Sequence, residues 1–102
     1  MASNQPQGGR LPVLVNLNTG ERFPINGPNV TLGRAPDNHI VLTADPYCSG
    51  HHAKVYWDQG GWWVTDMNSS NGTTVNDELI VQPRKLAPRD VIKVGRTKFS
   101  IE

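Results

Sequence analysis

The sequence has few of the features that define several common protein classes. Its 102 residues include a single cysteine, Cys48, which excludes an internal disulfide framework and favours a reducing compartment. No apolar run approaches the roughly 20 residues of a membrane-spanning helix. No basic leader followed by an apolar block marks a secretion signal. We therefore expect one cytoplasmic domain that does not insert into a membrane.

The sequence also has no marked excess of positive or negative charge. Lys and Arg number 10 against 9 Asp and Glu, which leaves a net charge of +1. A dedicated duplex-DNA binder is usually strongly basic, so this balance argues against one. A small charged ligand remains possible, because its binding needs local rather than global charge. With 36% hydrophobic and 19% charged residues, neither a disordered chain nor a coiled coil is expected.

Long segments free of helix breakers are absent as well. The 10 glycines and 8 prolines are spread along the chain, and the longest stretches without either are residues 62–71 and 73–82. An average helix of about 11–12 residues has almost no place to form. The segments between breakers are rich in Val, Ile, Thr and aromatic residues, which favour strands. The sequence therefore predicts an all-β sandwich or barrel of short strands.

The strands can be placed from alternation and turn residues. Residues 1–9 show no apolar periodicity and are interpreted as a flexible tail before a domain at residues 10–102. The first strand carries Val13, Val15 and Leu17 on one face. Strands are predicted at residues 12–17, 21–25, 29–33, 39–42, 52–57, 62–66, 73–75, 79–81, 91–94 and 97–101. Residues 43–50 and 67–72 are predicted to be loops.

Groups suited to an anion follow several of these strands. Arg34 offers a planar, permanently charged set of donors that matches a phosphate. Ser49 and Ser70 each offer a hydroxyl, and Asn71 offers both a donor and an acceptor for a peptide backbone. Gly72 permits a sharp turn beside Asn71. Each residue alone is ordinary in a loop, and only their combination favours phosphate binding.

These motifs resemble the forkhead-associated (FHA) domain. The family pattern is matched by Gly33-Arg34, by Ser49-Gly50-His51-His52 and by the segment from Asn71-Gly72-Thr73 to Asn76. A later segment with Leu86, Asp90, Ile92 and Gly95 is also similar, so the resemblance covers nearly the whole chain. It implies a β-sandwich of about eleven short, mostly antiparallel strands with binding loops at one end. The implied function is non-catalytic recognition of phosphothreonine peptides in Ser/Thr kinase signalling.

The resemblance also implies a role for individual residues. It assigns phosphate contacts to Arg34, Ser49 and Ser70, and a peptide main-chain contact to Asn71. It assigns a loop-bracing role to His52. The remaining loop-structuring positions are Gly33, Gly72, Thr73 and Asn76.

Gly50 departs from the family pattern, because the residue after the Ser is usually Arg, Lys or Asn. A side-chain contact to phosphate is therefore missing, although the Gly50 backbone N–H remains as a donor. The alternative is a degenerate, phosphate-independent FHA-type interaction domain. Tyr47 occupies a position that in the family contacts the third residue after the phosphothreonine. Being uncharged, it predicts an apolar or aromatic peptide residue there, unless it packs onto Pro46 instead.

Two other groups of residues suggest different chemistries. Cys48, His51 and His52 suggest a metal or thiol-protease site, but adjacent residues of an extended segment point to opposite faces, and distant partners are lacking. Tyr56, Trp57, Trp62 and Trp63 suggest a base-stacking platform, yet their neighbours form no basic groove. We therefore expect no cofactor, no metal and no nucleic acid. The expected partner of this monomer is a phosphothreonine-containing protein, namely a Ser/Thr kinase or its substrate.

Overall fold

The computed structural model describes residues 12–102, so the tail predicted at residues 1–9 lies outside the described residues. These residues form eleven strands and no helix, so none of them belongs to a helix that could cross a membrane. The strands are β1 (Val13–Asn16), β2 (Arg22–Pro24), β3 (Asn29–Gly33), β4 (Ile40–Val41), β5 (Ala53–Asp58), β6 (Gly61–Asp66), β7 (Thr73–Val75), β8 (Glu78–Leu79), β9 (Arg84–Lys85), β10 (Val91–Val94) and β11 (Thr97–Ile101).

The strands form two sheets. The first contains six strands in the order β2-β1-β11-β10-β7-β8, and the second contains five in the order β4-β3-β5-β6-β9. Neighbouring strands are antiparallel except β3 and β4, which are parallel. The prediction of an all-β sandwich of about eleven short, mostly antiparallel strands is therefore confirmed.

Two-residue turns close three of the hairpins. Gln59 and Gly60 join β5 to β6 with φ values of 49° and 76°, and Asn76 and Asp77 join β7 to β8 with φ values of 51° and 69°. A positive φ at both central residues defines the type I′ turn, whose twist matches that of the flanking strands. The β10–β11 turn begins with Gly95 at a φ of 60°. The dihedral angles of these turns set the register of the strands that they connect.

The core lies between the inner faces of the two sheets. Ten apolar residues there are fully shielded from solvent, namely Leu14, Ile25, Leu32, Ala53, Val55, Val64, Val75, Ile92, Val94 and Phe99. Phe99 meets Phe23 edge to face with ring centroids 6.2 Å apart, and Trp57 meets Trp62 in the same manner at 5.3 Å. Alternation predicted the inward faces of β3, β5, β6 and β11, and these faces are buried in the structure.

The first strand departs from the predicted alternation. Its core-facing side chain is Leu14, which lies opposite Ile101 and is fully buried, whereas Leu17 follows the strand and is 49% exposed. The face that carries Val13 and Val15 is therefore not the core face. Five of the six residues at positions 12–17 are apolar, so a period of two does not distinguish the two faces. Pairing with β11 decides between them.

The segment after β7 also differs from expectation. Strand β8 begins one residue before the predicted residues 79–81 and ends at Leu79, which leaves Val81 90% exposed. Strand β9, formed by Arg84 and Lys85, was not predicted because neither residue favours strands. It pairs with Trp63 and Val64 of β6, so a tertiary contact rather than local preference creates it.

The packing predicts that the core depends strongly on Phe99. Replacing Phe99 by Ala should lower the free energy of unfolding by about 3–5 kcal/mol, because the cavity adds to the lost apolar burial. Val81→Ala is the matched control and should change it by less than about 0.5 kcal/mol, since Val81 is nearly fully exposed. Urea unfolding followed by tryptophan fluorescence measures both. Equal losses in the two variants would contradict this description of the core.

Candidate functional site

Three loops meet at one end of the sandwich. They comprise residues 34–39 between β3 and β4, residues 42–52 between β4 and β5, and residues 67–72 between β6 and β7. We call these segments the loop cluster. Every residue to which the sequence assigns a phosphate or peptide contact lies in this cluster.

A close approach of two glycines joins the first loop to the second. The backbone N–H of Arg34 donates to Ser49 O at 2.9 Å, and that of Ala35 donates to Gly50 O at 3.1 Å. A Cβ atom on Gly33 would overlap the carbonyl oxygen of Gly50. Gly33 is therefore required because the second loop occupies the space where a side chain would be.

A buried imidazole joins the second loop to the third. His52 is fully shielded from solvent. Its Nδ1 accepts the backbone N–H of Ser49 at 3.0 Å, and its Nε2 lies 2.8 Å from the carbonyl oxygen of Gly72. An acceptor at Nδ1 and a carbonyl at Nε2 assign the proton to Nε2. The structure thus places His52 as a brace between the two loops.

The polar groups of the second and third loops are linked directly. The backbone N–H of Ser70 donates to Ser49 Oγ at 2.9 Å, which leaves the Ser49 hydroxyl proton free to donate to a ligand. Asn71 Nδ2 donates to Tyr47 O at 2.8 Å, so Asn71 Oδ1 remains available as an acceptor. Ser70, Asn71 and Arg34 are exposed to solvent. These contacts bring the predicted site residues together on one surface.

Asp66 organises the third loop, a role that the sequence reasoning missed. Its carboxylate accepts the Thr73 hydroxyl at 2.7 Å and both the amide and the hydroxyl of Ser69, and Ser69 Oγ in turn accepts the Gly72 N–H at 2.9 Å. Burial alone raises the pKa of Asp66, but the hydrogen bonds from Ser69 and Thr73 outweigh it and hold that pKa below its usual value. The buried Thr73 is therefore a structural ligand of Asp66.

Gly72 has two separate reasons to be glycine. Its φ of +84° lies in the left-handed region, where a side chain is strained. A Cβ atom there would also lie 2.6 Å from the Cδ1 atom of Leu79. The turn beside Asn71 therefore requires glycine.

Asp45 organises the second loop and was also missed. Its buried carboxylate accepts the Tyr47 N–H at 3.0 Å, the Arg96 N–H at 2.8 Å and the Thr97 hydroxyl at 2.7 Å. Burial raises the pKa of Asp45, but the hydrogen bonds from Thr97, Arg96 and Tyr47 outweigh it and hold the pKa below its usual value. Its bond to Tyr47 is local, but its partners Arg96 and Thr97 are about fifty residues away, so no local signal shows that Asp45 joins the two segments.

Asn76 lies outside the loop cluster, in the β7–β8 turn. Its Nδ2 donates to Asp90 Oδ1 at 3.0 Å and its Oδ1 accepts the Val91 N–H at 3.0 Å. These bonds attach the turn to β10 within the first sheet. Asn76 thus braces the sheet rather than the binding loops.

An open depression adjoins the cationic side of the cluster. It has a volume of about 350 Å³ and is lined by Arg34, Ala35, Thr43 and Gly50. Among residues 12–102 the Arg34 guanidinium forms no ion pair, and the Gly50 N–H has no intramolecular acceptor. A larger depression of about 440 Å³ lies between β2 and β4, and its lining includes none of the residues predicted to contact phosphate or peptide.

The residues that suggested metal, thiol or base-stacking chemistry are not arranged for those functions in the part of the chain that the structure describes. Cys48 is buried, and burial together with the nearby Asp45 raises the pKa of its thiol to about 11. Residues 12–102 contain no cluster of three or more His, Cys, Asp or Glu side chains that could hold a metal ion. Trp57 and Trp62 pack together at the core, so they do not form a stacking surface with Trp63.

Comparison with known proteins assigns this two-sheet sandwich with a polar loop cluster to a family. The FHA domain family model matches residues 30–95, well over half of the chain. The chain is 30% identical over 83 residues to the FHA domain-containing protein FhaB of Mycobacterium tuberculosis, and the match covers 81% of this chain and 53% of FhaB. The chain thus spans about half the length of that relative. It belongs to the FHA domain family, as the sequence motifs predicted.

Solved structures support the same assignment. An FHA domain from a structural and functional study of phosphothreonine-dependent FHA domain interactions superposes with a TM-score of 0.83 at 29% identity, over 90% of this chain and 95% of that one. Mycobacterium tuberculosis EmbR in complex with a low affinity phosphopeptide superposes with a TM-score of 0.87 at 27% identity, over 97% of this chain and 26% of EmbR. The similarity in fold therefore extends over nearly the whole chain, including the segments of the loop cluster.

The glycine contact predicts that Gly33 cannot carry a side chain. Gly33→Ala should lower the free energy of unfolding by about 1–3 kcal/mol, because the two loops must separate to admit the methyl group. Gly27→Ala is the matched control, since a Cβ atom at Gly27 meets nothing within 4 Å. Thermal unfolding of both variants measures the difference. If Gly33→Ala is as stable as Gly27→Ala, the close approach of the loops is wrong.

The hydrogen-bonded carboxylates predict an acid-dependent stability. The pKa values of Asp45 and Asp66 are lowered in the folded protein, so their stabilisation is present above the unfolded-state pKa of about 3.9 and is lost as the pH falls through the lower folded values. The free energy of unfolding should therefore fall between about pH 5 and pH 2. Asp45→Asn and Asp66→Asn should each be less stable at neutral pH and show a shallower decline. An unchanged slope in both variants would refute this assignment.

Proposed function

We propose that this chain is a non-catalytic module that binds phosphothreonine-containing peptides of a partner protein in Ser/Thr kinase signalling. The single observation that carries the proposal is a set of hydrogen bonds between the loops: the Arg34 N–H donates to Ser49 O, and the Ser70 N–H donates to Ser49 Oγ, so Arg34, Ser49 and Ser70 are neighbours beside the free Gly50 amide. All of them lie on loops whose backbones are already fixed by internal hydrogen bonds. A dianion at this surface meets preorganised donors, so little ordering cost opposes binding.

In this proposal each residue of the loop cluster has its own role. Arg34 supplies the permanent charge, and Ser49 and Ser70 supply hydroxyl donors to the phosphate oxygens. Asn71 bonds the peptide backbone with the amide atoms that its bond to Tyr47 leaves free. His52, Gly33, Gly72 and Thr73 hold the loops and do not contact the ligand. The missing side chain at Gly50 is partly replaced by its N–H, which a glycine allows the ligand to approach closely.

The proposed compartment follows from the need for a phosphorylated ligand. The function requires a kinase that phosphorylates threonine and therefore a compartment with ATP, so we place the module in the cytoplasm, with residues 10–102 acting as a monomeric binding domain. Two similarities support this ligand class: one to an FHA domain from a study of phosphothreonine-dependent interactions, and one to EmbR in complex with a low affinity phosphopeptide.

Mutation of the anion-binding groups provides the first test. Arg34→Ala should abolish measurable binding of a phosphothreonine peptide, a loss of about 2–5 kcal/mol, because the phosphate loses its main countercharge. Ser49→Ala and Ser70→Ala should each weaken binding about tenfold. Arg22→Ala removes an equal charge from β2 and is the control. Fluorescence anisotropy with a peptide selected from a phosphothreonine library measures the affinities.

The unphosphorylated peptide of the same sequence distinguishes the proposal from a phosphate-independent interaction domain. The proposal expects binding of the phosphorylated peptide alone. Equal affinity for both peptides, or an Arg34→Ala variant that is folded and binds as tightly as the parent chain, would overturn the phosphate site.

A second test uses pH. The second pKa of a phosphothreonine is about 6, so the phosphate carries less negative charge at pH 5 than at pH 7. Arg34 stays protonated throughout this range. Affinity should therefore fall as the pH is lowered from about 7 to 5. Isothermal titration calorimetry at several pH values measures this change, and an affinity that rises steadily towards pH 5 would contradict the model.

A further inference from the structure

Tyr47 and Arg96 form a second cationic feature beside the loop cluster. The Arg96 guanidinium carbon lies 4.3 Å from the centroid of the Tyr47 ring. Both side chains are exposed, and Tyr47 is 45% accessible. A guanidinium on an aromatic face is attracted by the ring quadrupole, and this attraction restrains a side chain that would otherwise be mobile.

One buried carboxylate holds both residues in place. Asp45 accepts the backbone N–H of Tyr47 through one oxygen and that of Arg96 through the other, at 3.0 and 2.8 Å. The β10–β11 turn approaches so closely that a Cβ atom on Gly95 would lie 2.6 Å from Asp45 Oδ2. The pairing of Tyr47 with Arg96 is therefore built into the backbone rather than left to two flexible side chains.

The charge of Arg96 is available to a ligand. Among residues 12–102 the ion pairs involve Arg22, His51 and Arg84, and no carboxylate lies within 4 Å of the Arg96 guanidinium. Stacking uses the face of the guanidinium and leaves its N–H edge free. A planar edge of this kind matches a carboxylate, with which it can form two parallel hydrogen bonds.

The feature adjoins the groups proposed to bind the peptide. The carbonyl of Tyr47 accepts the amide of Asn71, so the Tyr47 backbone is in direct contact with the residue that would hold the peptide main chain. A bound extended peptide advances about 3.3 Å per residue. Because Tyr47 contacts both Asn71 and Arg96, we expect a side chain within a few residues of the phosphothreonine to reach the guanidinium.

We propose that Arg96, stacked on Tyr47, is a specificity-determining residue that selects phosphothreonine peptides with an acidic side chain near the phosphothreonine. This inference rests on the proposed function and names the chemistry of its partner. It also changes the expectation drawn from Tyr47 alone, which was an apolar or aromatic peptide residue. The tyrosine serves as a positioning residue for a charge that comes from a different part of the chain.

The test compares matched peptides with a double-mutant cycle. Phosphothreonine peptides that carry Asp or its uncharged isostere Asn at each position flanking the phosphothreonine are titrated by fluorescence anisotropy. At one position the Asp peptide should bind the parent chain about fivefold more tightly than the Asn peptide. This ratio should fall to unity in Arg96→Gln and shrink when salt is raised from about 50 to about 500 mM.

Three variants separate positioning from general structure. Lys98→Gln removes one charge from the same hairpin and should keep the ratio, because Lys98 lies opposite Lys93 on the outer face of the first sheet. Tyr47→Phe retains the ring and should keep the ratio, whereas Tyr47→Ala should reduce it. Binding of the Asn peptide to Lys98→Gln should equal its binding to the parent chain, since Lys98 lies outside the loop cluster.

The outcomes are distinguishable. If phosphothreonine peptides bind but the parent chain shows no preference for Asp over Asn, or Arg96→Gln keeps the preference, the inference about Arg96 is wrong and the proposed function stands. If no phosphothreonine peptide binds the folded chain, both are wrong. A preference for Asp that is lost in Arg96→Gln and kept in Lys98→Gln supports the inference.

Discussion

The buried imidazole of His52 is the interaction on which the binding end of the domain depends. It accepts a hydrogen bond from the Ser49 amide and bonds the Gly72 carbonyl, so one side chain satisfies a backbone group in each of two loops. Unpaired backbone groups in a shielded position are costly, and therefore the two loops are stable in the conformation that His52 supports. The bonds of Ser70 to Ser49 and of Asn71 to Tyr47 follow from this placement.

Two carboxylates complete the framework around that imidazole. Asp66, at the end of β6, accepts donors from Ser69 and Thr73, whereas Asp45 accepts them from its own loop and from the β10–β11 hairpin. Both accept several N–H or O–H groups, which is the condition under which a shielded carboxylate remains ionised. The acidic groups thus stabilise loop conformations from within, while Arg34 and Arg96 remain exposed.

The site that results combines rigid and chemically simple parts. A glycine–glycine contact, a neutral imidazole and two hydrogen-bonded carboxylates determine where one guanidinium, two hydroxyls and an amide lie. Each of these groups is common in proteins and does not by itself define a phosphate site. Their value to a phosphate-binding protein lies in preorganisation, because loops that are already ordered lose little conformational entropy when a ligand binds.

The sequence by itself determined the strand-rich fold class, the turns and the residues that line the loops, because these depend on local composition and on the order of the motifs. Gly60 and Gly95 mark hairpins through a backbone preference that acts over a few residues. Only the tertiary structure decided that Leu14 faces the core, that Arg84 and Lys85 form a strand, and that Asp45 joins Tyr47 to Arg96. The reason is physical: the choice between two apolar faces, and the meeting of groups fifty residues apart, depend on pairing across the sheets, which no local pattern encodes.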